Sequence, residues 1–197
     1  IMKADNTIKQ FNSLADALNS LFGGGKIVQK EPVAGGDINQ AYKLTLTDGT
    51  TLFLKTNSQT DTDFFAAEAV GLSAIAQTGA ICVPQVLAYG SDAAGSFLLM
   101  EYVHNPRRNA RYWETFGQQL AAMHKASTKE MVSGGCFGFM QNNYIGMRQQ
   151  INTPYAKWCD FFRYCRLAPQ FQQAKKYFDK TDLIRIDKLL AHIDDYL

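Results

Sequence analysis

Residues 51–72, TLFLKTNSQTDTDFFAAEAVGL, decide the fold because they set two charged side chains inside apolar patterns. Lys55 follows the apolar run of residues 52–54, which is typical of a strand. Glu68 lies within the apolar stripe of the helix that the following residues predict. Burial of one ion without a partner is strongly disfavoured, so two such residues close together need a common explanation.

The side-chain periodicity of the two elements directs Lys55 and Glu68 toward each other. In a strand, Lys55 shares one face with Phe53, while residues 52 and 54 cover the other face. On the helix, Glu68 is in register with the apolar residues Phe64, Phe65, Leu72 and Ile75. Consecutive elements usually pack together, so we expect the ammonium and the carboxylate to meet. The alternative, that both side chains extend to solvent at the edges of their elements, stays open on these residues alone.

An ion pair at this place suggests that Lys55 holds an anionic group. Desolvation offsets the attraction within a buried pair, so stability alone does not explain it. Upstream, Gly35-Gly36 is expected to form a turn between two strands, where main-chain N–H groups could face phosphate oxygens. Such a turn can equally be an ordinary hairpin. The run SFLLMEYV, residues 96–103, ends at a polar segment, where main chain could bind an adenine edge or simply leave the core.

The first half of the sequence predicts an antiparallel sheet of five strands with one embedded helix. Residues 8–22 have helical spacing and end at three glycines. Asp48-Gly49 between two alternating runs is a hairpin signal. A helix is expected over residues 61–78, with Asp61 or Thr62 as its cap. The strands are KIVQKEPVA, QAYKLTLT, TTLFLKT, VPQVLAYG and GSFLLMEYV.

The second half changes character after Val103. The segment HNPRRNA, residues 104–110, has the composition of a linker. Beyond it strand signals vanish, and Pro169 stands where the second of three helices would stop. The helices are predicted at residues 111–126, 154–167 and 181–197. The sequence therefore predicts an α+β fold of two lobes, residues 1–103 and 104–197.

Composition excludes several classes of protein. The 20 basic and 18 acidic side chains give a formal net charge of +2, which argues against a large nucleic-acid surface. No apolar run approaches the roughly 18 residues of a membrane span. The amino terminus has no signal-peptide pattern. The four cysteines form no CxxC motif, so we expect reduced thiols in a cytoplasmic protein and no structural zinc site.

Taken together, several segments resemble the fructosamine kinase (ketosamine-3-kinase) family, in the small-molecule branch of the protein-kinase-like fold. The similarity runs from about Gly35 to the last residues. The FGF segment at residues 137–139 and the W..FF...RL segment from Trp158 point most specifically to fructosamine kinases. The other matching segments are GGDINQAYKLTL, LFLKTN, FFAAEAVGLSAIAQTGAICVPQVLAYG, SFLLMEYV and FGQQLAAMHKAS.

The resemblance implies a role for each part of the site. Lys55 would contact the phosphates of ATP, and Glu68 would hold Lys55 in place. The loop over the phosphates would contain Gly35, Gly36, Asp37 and Asn39. The hinge that receives adenine would consist of Glu101, Tyr102 and Val103.

The implied reaction is the ATP-dependent phosphorylation of a sugar hydroxyl on a glycated amine, with Mg²⁺ as the metal. The substrate would be a glycated small amine or a glycated protein lysine, with no nucleic-acid or membrane partner. Phosphoryl transfer depends mainly on positioned positive charge, which agrees with the lysine. Two alternatives remain: an aminoglycoside- or choline-type kinase, and a nucleotide-binding or interaction module without transferase activity.

One departure from the family pattern concerns the catalytic loop. Kinases of this kind carry an HGD-type aspartate, a following asparagine and a second, metal-binding aspartate, and no such segment occurs in the 197 residues. The His192-Ile193-Asp194 segment is better explained as the polar face of a helix. We therefore expect a part of a longer kinase, inactive by itself, in which no metal ligand or catalytic base can be named.

Overall fold

The computed structural model describes residues 8–34, 38–59, 61–104, 108–127, 129 and 131–197. The chain divides into two compact units, Ile1–Ala126 and Ser127–Leu197. These two units are defined only by how compactly the backbone folds, which does not show where two functional lobes would divide. The lobe boundary that the sequence places after Val103 stays a prediction.

The first unit is built on a six-stranded sheet with the spatial order β1-β5-β6-β4-β3-β2. Neighbours among β2 to β6 pair antiparallel, whereas β1 runs parallel to β5. The Asp48-Gly49 turn joins β3 and β4 as predicted, with the Thr50 N–H donating to Asp48 Oδ1 over 2.9 Å. The strands are β1 (Lys9–Phe11), β2 (Ile27–Pro32), β3 (Gln40–Leu46), β4 (Thr51–Asn57), β5 (Val86–Asp92) and β6 (Gly95–Glu101).

One helix covers each face of this sheet, as the apolar residues on both sides of β4 predict. Helix α1 (Leu14–Phe22) packs on the face that carries Leu52 of β4. Helix α2 (Asp63–Gln77) packs on the opposite face, where Phe65 joins one apolar cluster with Leu98 and Met100 of β6. All four of these side chains are at most 3% exposed, and removal of such apolar surface from water is the main stabilising term.

The prediction of five antiparallel strands is wrong in one respect, because residues 9–11 form a sixth, parallel strand instead of the start of a helix. Ile8 and Phe11 are spaced for one helical face, but in an extended chain they face opposite ways. Ile8 packs on the α2 side of the sheet and Phe11 on the α1 side. The helix begins only at Leu14, after Ser13 Oγ accepts the Asp16 N–H over 3.0 Å.

Helix α3 (Tyr112–His124) follows the sheet in the first unit and buries none of its residues. It agrees with the helix predicted at residues 111–126. Its exposed aromatic side chains, Tyr112, Trp113 and Phe116, contact one another.

The second unit contains a hairpin that the sequence does not predict. Strands β7 (Asn143–Ile145) and β8 (Arg148–Gln150) pair antiparallel, so the expectation of helices alone after residue 110 is wrong. Each strand has three residues, which is too short for an alternating apolar pattern to stand out. Gly146 in the connecting turn has φ +62°, a conformation that favours glycine.

The helices of the second unit include a continuous run past Pro169. Helix α4 (Trp158–Phe162) passes through a π-helical turn, Arg163–Leu167, into α5 (Ala168–Ala174), and α6 (Lys180–Ala191) follows. The expectation that Pro169 ends the second helix is therefore wrong. Proline lacks the N–H that would reach the Cys165 carbonyl, and that oxygen instead accepts from Arg166 Nη1 over 2.9 Å. Within the described ranges, every helix is too short or too polar to span a bilayer.

Candidate functional site

Lys55 and Glu68 meet on the face of the sheet that α2 covers. The Nζ atom of Lys55 lies 2.5 Å from Oε1 of Glu68. The predicted contact between the two charges is confirmed, and the alternative of two separate solvent-facing ions is wrong. The pair is only partly buried, because the two side chains keep 29% and 26% of their surface exposed. The Lys55 side chain is therefore partly open to solvent, and one of its three ammonium donors binds Glu68.

Strand pairing and helix packing fix the two side chains. Lys55 lies opposite Ala41 of β3 and Leu98 of β6, so these residues share one face of the sheet. Glu68 comes three residues after Phe65, which is 0% exposed and packs with Leu98. Burial of Phe65 therefore sets the helix in the rotation that turns Glu68 toward Lys55.

The loop predicted to cover phosphates is described only at its end. Gly35, Gly36 and Asp37 lie outside the described residues. The Nδ2 group of Asn57 donates to Oδ1 of Asn39 over 2.9 Å, and this contact is partly buried. Asn39 was predicted from the resemblance, whereas Asn57 was not.

Asn57 could have been found from strand alternation. It stands two residues after Lys55 in β4 and so shares its face of the sheet. Its Oδ1 also accepts the Gln59 N–H over 2.9 Å, which fixes the amide orientation. Asn57 therefore ties the end of the glycine segment to the strand that carries Lys55.

A small pocket of about 220 Å³ opens next to this amide pair. Its lining comes from the start of β3, the end of β4 and the β5–β6 turn, and Lys55 itself is not part of it. The pocket places polar groups beside the strand end that carries Asn57. The lining residues are Ile38, Gln40, Thr56, Asn57, Ser58 and Ala94.

The predicted hinge residues lie at the end of β6. Glu101 is the last residue of the strand, and its main-chain N–H donates to the Gln85 carbonyl over 2.9 Å. The Tyr102 ring stands edge-on to His104, with centroids 5.2 Å apart. Val103 is 59% exposed, so an apolar side chain is open to a planar ligand at this place.

One cluster in the second unit consists of side chains that can ligate a metal ion. Cys159, Asp160 and Asp194 offer ligand atoms that all lie within 4.8 Å of one another. Arg163 already binds both carboxylates, at 3.2 Å from Asp160 and 2.8 Å from Asp194. A cation at this place would compete with the guanidinium, so the ion pairs explain the cluster without a metal.

The family assignment comes from comparison with known proteins. The fructosamine kinase family model matches residues 10–197. This chain belongs to the fructosamine kinase family. It is 38% identical over 152 residues to a probable ketoamine kinase of Synechocystis sp., which covers 77% of this chain and 49% of the relative. It is 35% identical over 156 residues to a chloroplastic protein-ribulosamine 3-kinase of Oryza sativa subsp. japonica, covering 78% and 43%.

The fold is similar to that of a solved family member. A putative fructosamine-3-kinase from Haemophilus somnus 129PT superimposes with a TM-score of 0.77 at 27% identity, covering 91% of this chain and 59% of that one. The family expected from the sequence is thus confirmed, as is a mixed α+β fold similar to that of fructosamine kinases. The chain spans about half the length of the curated relatives it matches. The roles assigned to individual site residues stay predictions.

Proposed function

We propose that this chain carries the nucleotide-binding part of a kinase that transfers a phosphoryl group from ATP to a sugar hydroxyl of a glycated amine. The observation that carries the proposal is the 2.5 Å contact between Lys55 and Glu68 on a strand and a helix of one sheet face. A lysine held by a helical glutamate is the arrangement that protein kinases use to grip ATP phosphates. The relatives named ketoamine kinase and ribulosamine 3-kinase support the acceptor class.

The described residues fit ATP in charge and accessibility. Lys55 keeps donors free of Glu68 and is partly exposed, so its ammonium can bind phosphate oxygens. Asn39, tied to Asn57, would fix the end of the glycine segment, which we expect to cover those oxygens. The exposed Val103 and the ring of Tyr102 lie where the resemblance puts adenine.

The chemistry of these side chains is electrostatic. ATP supplies the phosphoryl group, and Lys55 would neutralise charge on its phosphates as the bond to the leaving oxygen lengthens. Glu68 would hold the Lys55 side chain in the orientation that directs its ammonium toward the nucleotide. A divalent cation is expected for a kinase, and we propose Mg²⁺ because it binds phosphate oxygens with octahedral geometry. No residue within the described ranges is proposed as its ligand.

The finer parts of the proposal concern organisation and substrate. We place the functional lobe boundary after Val103, so that a nucleotide-binding lobe precedes a helical one, as in two-lobe kinases. The acceptor would be a glycated small amine or a glycated protein lysine. The free thiols of the four cysteines accord with a cytoplasmic location, which is part of the proposal.

Substitution of Lys55 tests the nucleotide role directly. Lys55→Met should lower kcat/KM for ATP by about 10²-fold or more, because one positioned charge facing the transition state is lost. The measurement is ATP-dependent phosphorylation of a fructosyl-amine by the complete kinase of which this chain is expected to be a part, together with ATP binding by calorimetry. Unchanged turnover in Lys55→Met would remove the lysine from the mechanism.

The matched control is Lys30→Met on the edge strand β2. Lys30 is exposed and lies 3.9 Å from the centroid of the Tyr42 ring, away from the proposed site residues. The Lys30→Met substitution removes a lysine charge from the same sheet and should leave turnover unaltered. Aminoglycosides and choline, offered as acceptors beside fructosyl-amines, separate the proposed substrate class from the other kinases of this fold.

A further inference from the structure

A second pocket, in the unit Ser127–Leu197, has a lining with the properties of a ligand site. Its volume is about 520 Å³, within the range of about 300–1,000 Å³ that small-molecule sites occupy. Such sites combine mostly apolar and aromatic walls with a few fixed polar groups. The pocket unites the FGF segment of residues 137–139 with the helix that starts at Trp158.

Glycine at position 138 explains how two phenylalanines reach one pocket. Phe137 pairs with Tyr155 through two main-chain hydrogen bonds of 2.8 and 2.9 Å. The Phe139 N–H donates to the Asn152 carbonyl over 3.3 Å. Gly138, at φ +156°, would place a Cβ atom 2.9 Å from that same carbonyl oxygen. The segment therefore lies flat against residue 152, and the side chains on both sides of the glycine line the pocket.

The aromatic wall is open to a ligand. The rings of Phe137 and Trp158 stand edge to face, with centroids 5.7 Å apart, and Phe161 lies 5.8 Å from Trp158. Phe137 is 42% exposed and Trp158 is 41% exposed, whereas Phe161 is buried at 5%. Phe162 stacks on Trp158 with ring centroids 5.4 Å apart. Phe161 thus anchors the wall in the core, while Phe137 and Trp158 each keep part of their surface exposed.

The polar side of the pocket is rigid because its groups bind one another. Asn152 is 2% exposed, and its Nδ2 donates to the Gln141 carbonyl and to Asn143 Oδ1, both over 3.0 Å. Its Oδ1 accepts from Arg166 Nη2 over 2.7 Å. Arg166 also donates through Nη1 to the Ile151 carbonyl over 2.8 Å. These contacts hold amide and guanidinium groups at fixed positions next to the rings.

Arg166 retains hydrogen-bonding capacity for a neutral ligand. Its bonds to Ile151, Asn152 and Cys165 use three of the five guanidinium N–H donors, as counted among the described residues. The guanidinium lies 4.5 Å from the centroid of the Phe161 ring, which further balances its charge. The two remaining donors can bind a ligand oxygen, such as a sugar hydroxyl, without displacing these partners.

We propose that this pocket binds the sugar portion of the glycated amine, an inference that rests on the proposed function and names the acceptor site. A sugar has C–H groups on its faces, which carry partial positive charge and lie favourably on the negative face of an aromatic ring. Its hydroxyls at the rim can accept from Arg166 and donate to the Asn143 side chain. Trp158 and Phe137 supply the stacking surface, and the Asn152–Arg166 pair fixes the polar edge.

Tryptophan fluorescence tests the pocket in solution. The chain has two tryptophans, so Trp113→Phe leaves Trp158 as the reporter within the pocket. Titration with Nα-acetyl-Nε-fructosyl-lysine should give a saturable change in Trp158 emission, and Nα-acetyl-lysine should give none. Trp158→Phe, in which exposed Trp113 reports, should show no change with the same ligand. A Trp158 signal that does not respond to the fructosyl compound overturns the proposal.

Kinetics of the complete kinase, of which this chain is expected to be a part, separate this inference from the proposed function. Trp158→Leu keeps an apolar side chain but removes the stacking face, so KM for the fructosyl-lysine should rise about tenfold or more with KM for ATP unchanged. Tyr177→Leu, at a 75% exposed aromatic residue of the same unit outside the pocket, is the matched control. An unaltered acceptor KM in folded Trp158→Leu protein refutes the pocket while leaving the kinase intact.

Two other experimental results also discriminate between the sugar pocket and the proposed function. Saturable binding at Trp158 without any ATP-dependent phosphorylation by the complete kinase would support the sugar pocket and refute the proposed function. If Trp158→Leu fails to fold, as judged by circular dichroism, the Trp158 titration alone decides, since that protein keeps the pocket unchanged.

Discussion

Each of the two compact units of this chain is stabilised internally by a different kind of interaction. In the first unit, apolar side chains fill both faces of a sheet, and Leu44, Leu54, Leu98 and Leu99 are at most 1% exposed. In the second unit, the described residues bury few apolar side chains, and hydrogen bonds centred on Asn152 join the hairpin to a helix. Apolar burial is non-directional, whereas a buried amide depends on every partner being present.

This difference also separates the two candidate sites. Lys55 and Glu68 are positioned by apolar packing around them, because Phe65 and the strand register decide where each charge points. The pocket of the second unit is positioned by polar contacts, because Asn152 and Arg166 hold its edge. Changes in an apolar core should therefore affect the first site, and changes in an amide network should affect the second.

The largest effect on stability is expected from Leu99→Ala in the central strand β6. Leu99 is 0% exposed, and truncation of such a side chain leaves a cavity that costs about 3–5 kcal/mol. Amide hydrogen exchange should rise across the sheet, residues 40–101, with much less change in residues 127–197. Denaturant unfolding gives the free energy, and mass spectrometry of the exchanged protein gives its location.

The control for this change is Val28→Ala on the edge strand β2. Val28 is 61% exposed and should lose less than about 0.5 kcal/mol. Equal exchange in both units after Leu99→Ala would contradict the view that each unit has its own stabilising centre.

A smaller effect is expected from Asn152→Leu, which keeps the branched shape of the side chain but removes its polar atoms. The Gln141 carbonyl, Asn143 and Arg166 would lose a partner, and unsatisfied buried groups cost about 2–3 kcal/mol in such a site. In this variant, amide hydrogen exchange should rise in residues 137–166 and stay unchanged in the six-stranded sheet of the first unit.

Gln149→Leu is the matched polar-to-apolar control, because Gln149 is exposed on β8 of the same hairpin. It should leave exchange in the second unit as it is in the parent chain. If Asn152→Leu proves as stable as the parent, apolar packing and not the amide network holds this unit.

The smallest perturbation is chemical modification of the thiols. Burial raises the pKa of the Cys165 thiol, so less thiolate is present near neutral pH, and the side chain is only 3% exposed. Cys82 is exposed. Iodoacetamide should therefore modify Cys82 about tenfold faster or more than Cys165 at pH 8. Peptide mass spectrometry with Cys82→Ser as the control measures both rates, and equal rates would mean that the second unit opens readily.

The sequence predicts best where a local period coincides with a packed face. Alternation around Lys55 and helical spacing around Glu68 predicted the contact between these two side chains, because each pattern repeats within one continuous element. The same reasoning failed at Ile8 and Phe11, whose spacing suits one helical face but here belongs to an extended strand. It also failed at Pro169, where an arginine side chain supplies the hydrogen bond that the proline lacks.

The sequence by itself determined the sheet with its two covered faces, the approach of Lys55 to Glu68, and the family. These follow from periodicity and from short motifs, which act over a few neighbouring residues. Only the tertiary structure decided the parallel strand β1, the Asn39–Asn57 contact and the pocket between the FGF segment and Trp158. Each of these joins residues far apart in the chain, and their meeting depends on the path of the backbone between them, which no local pattern encodes.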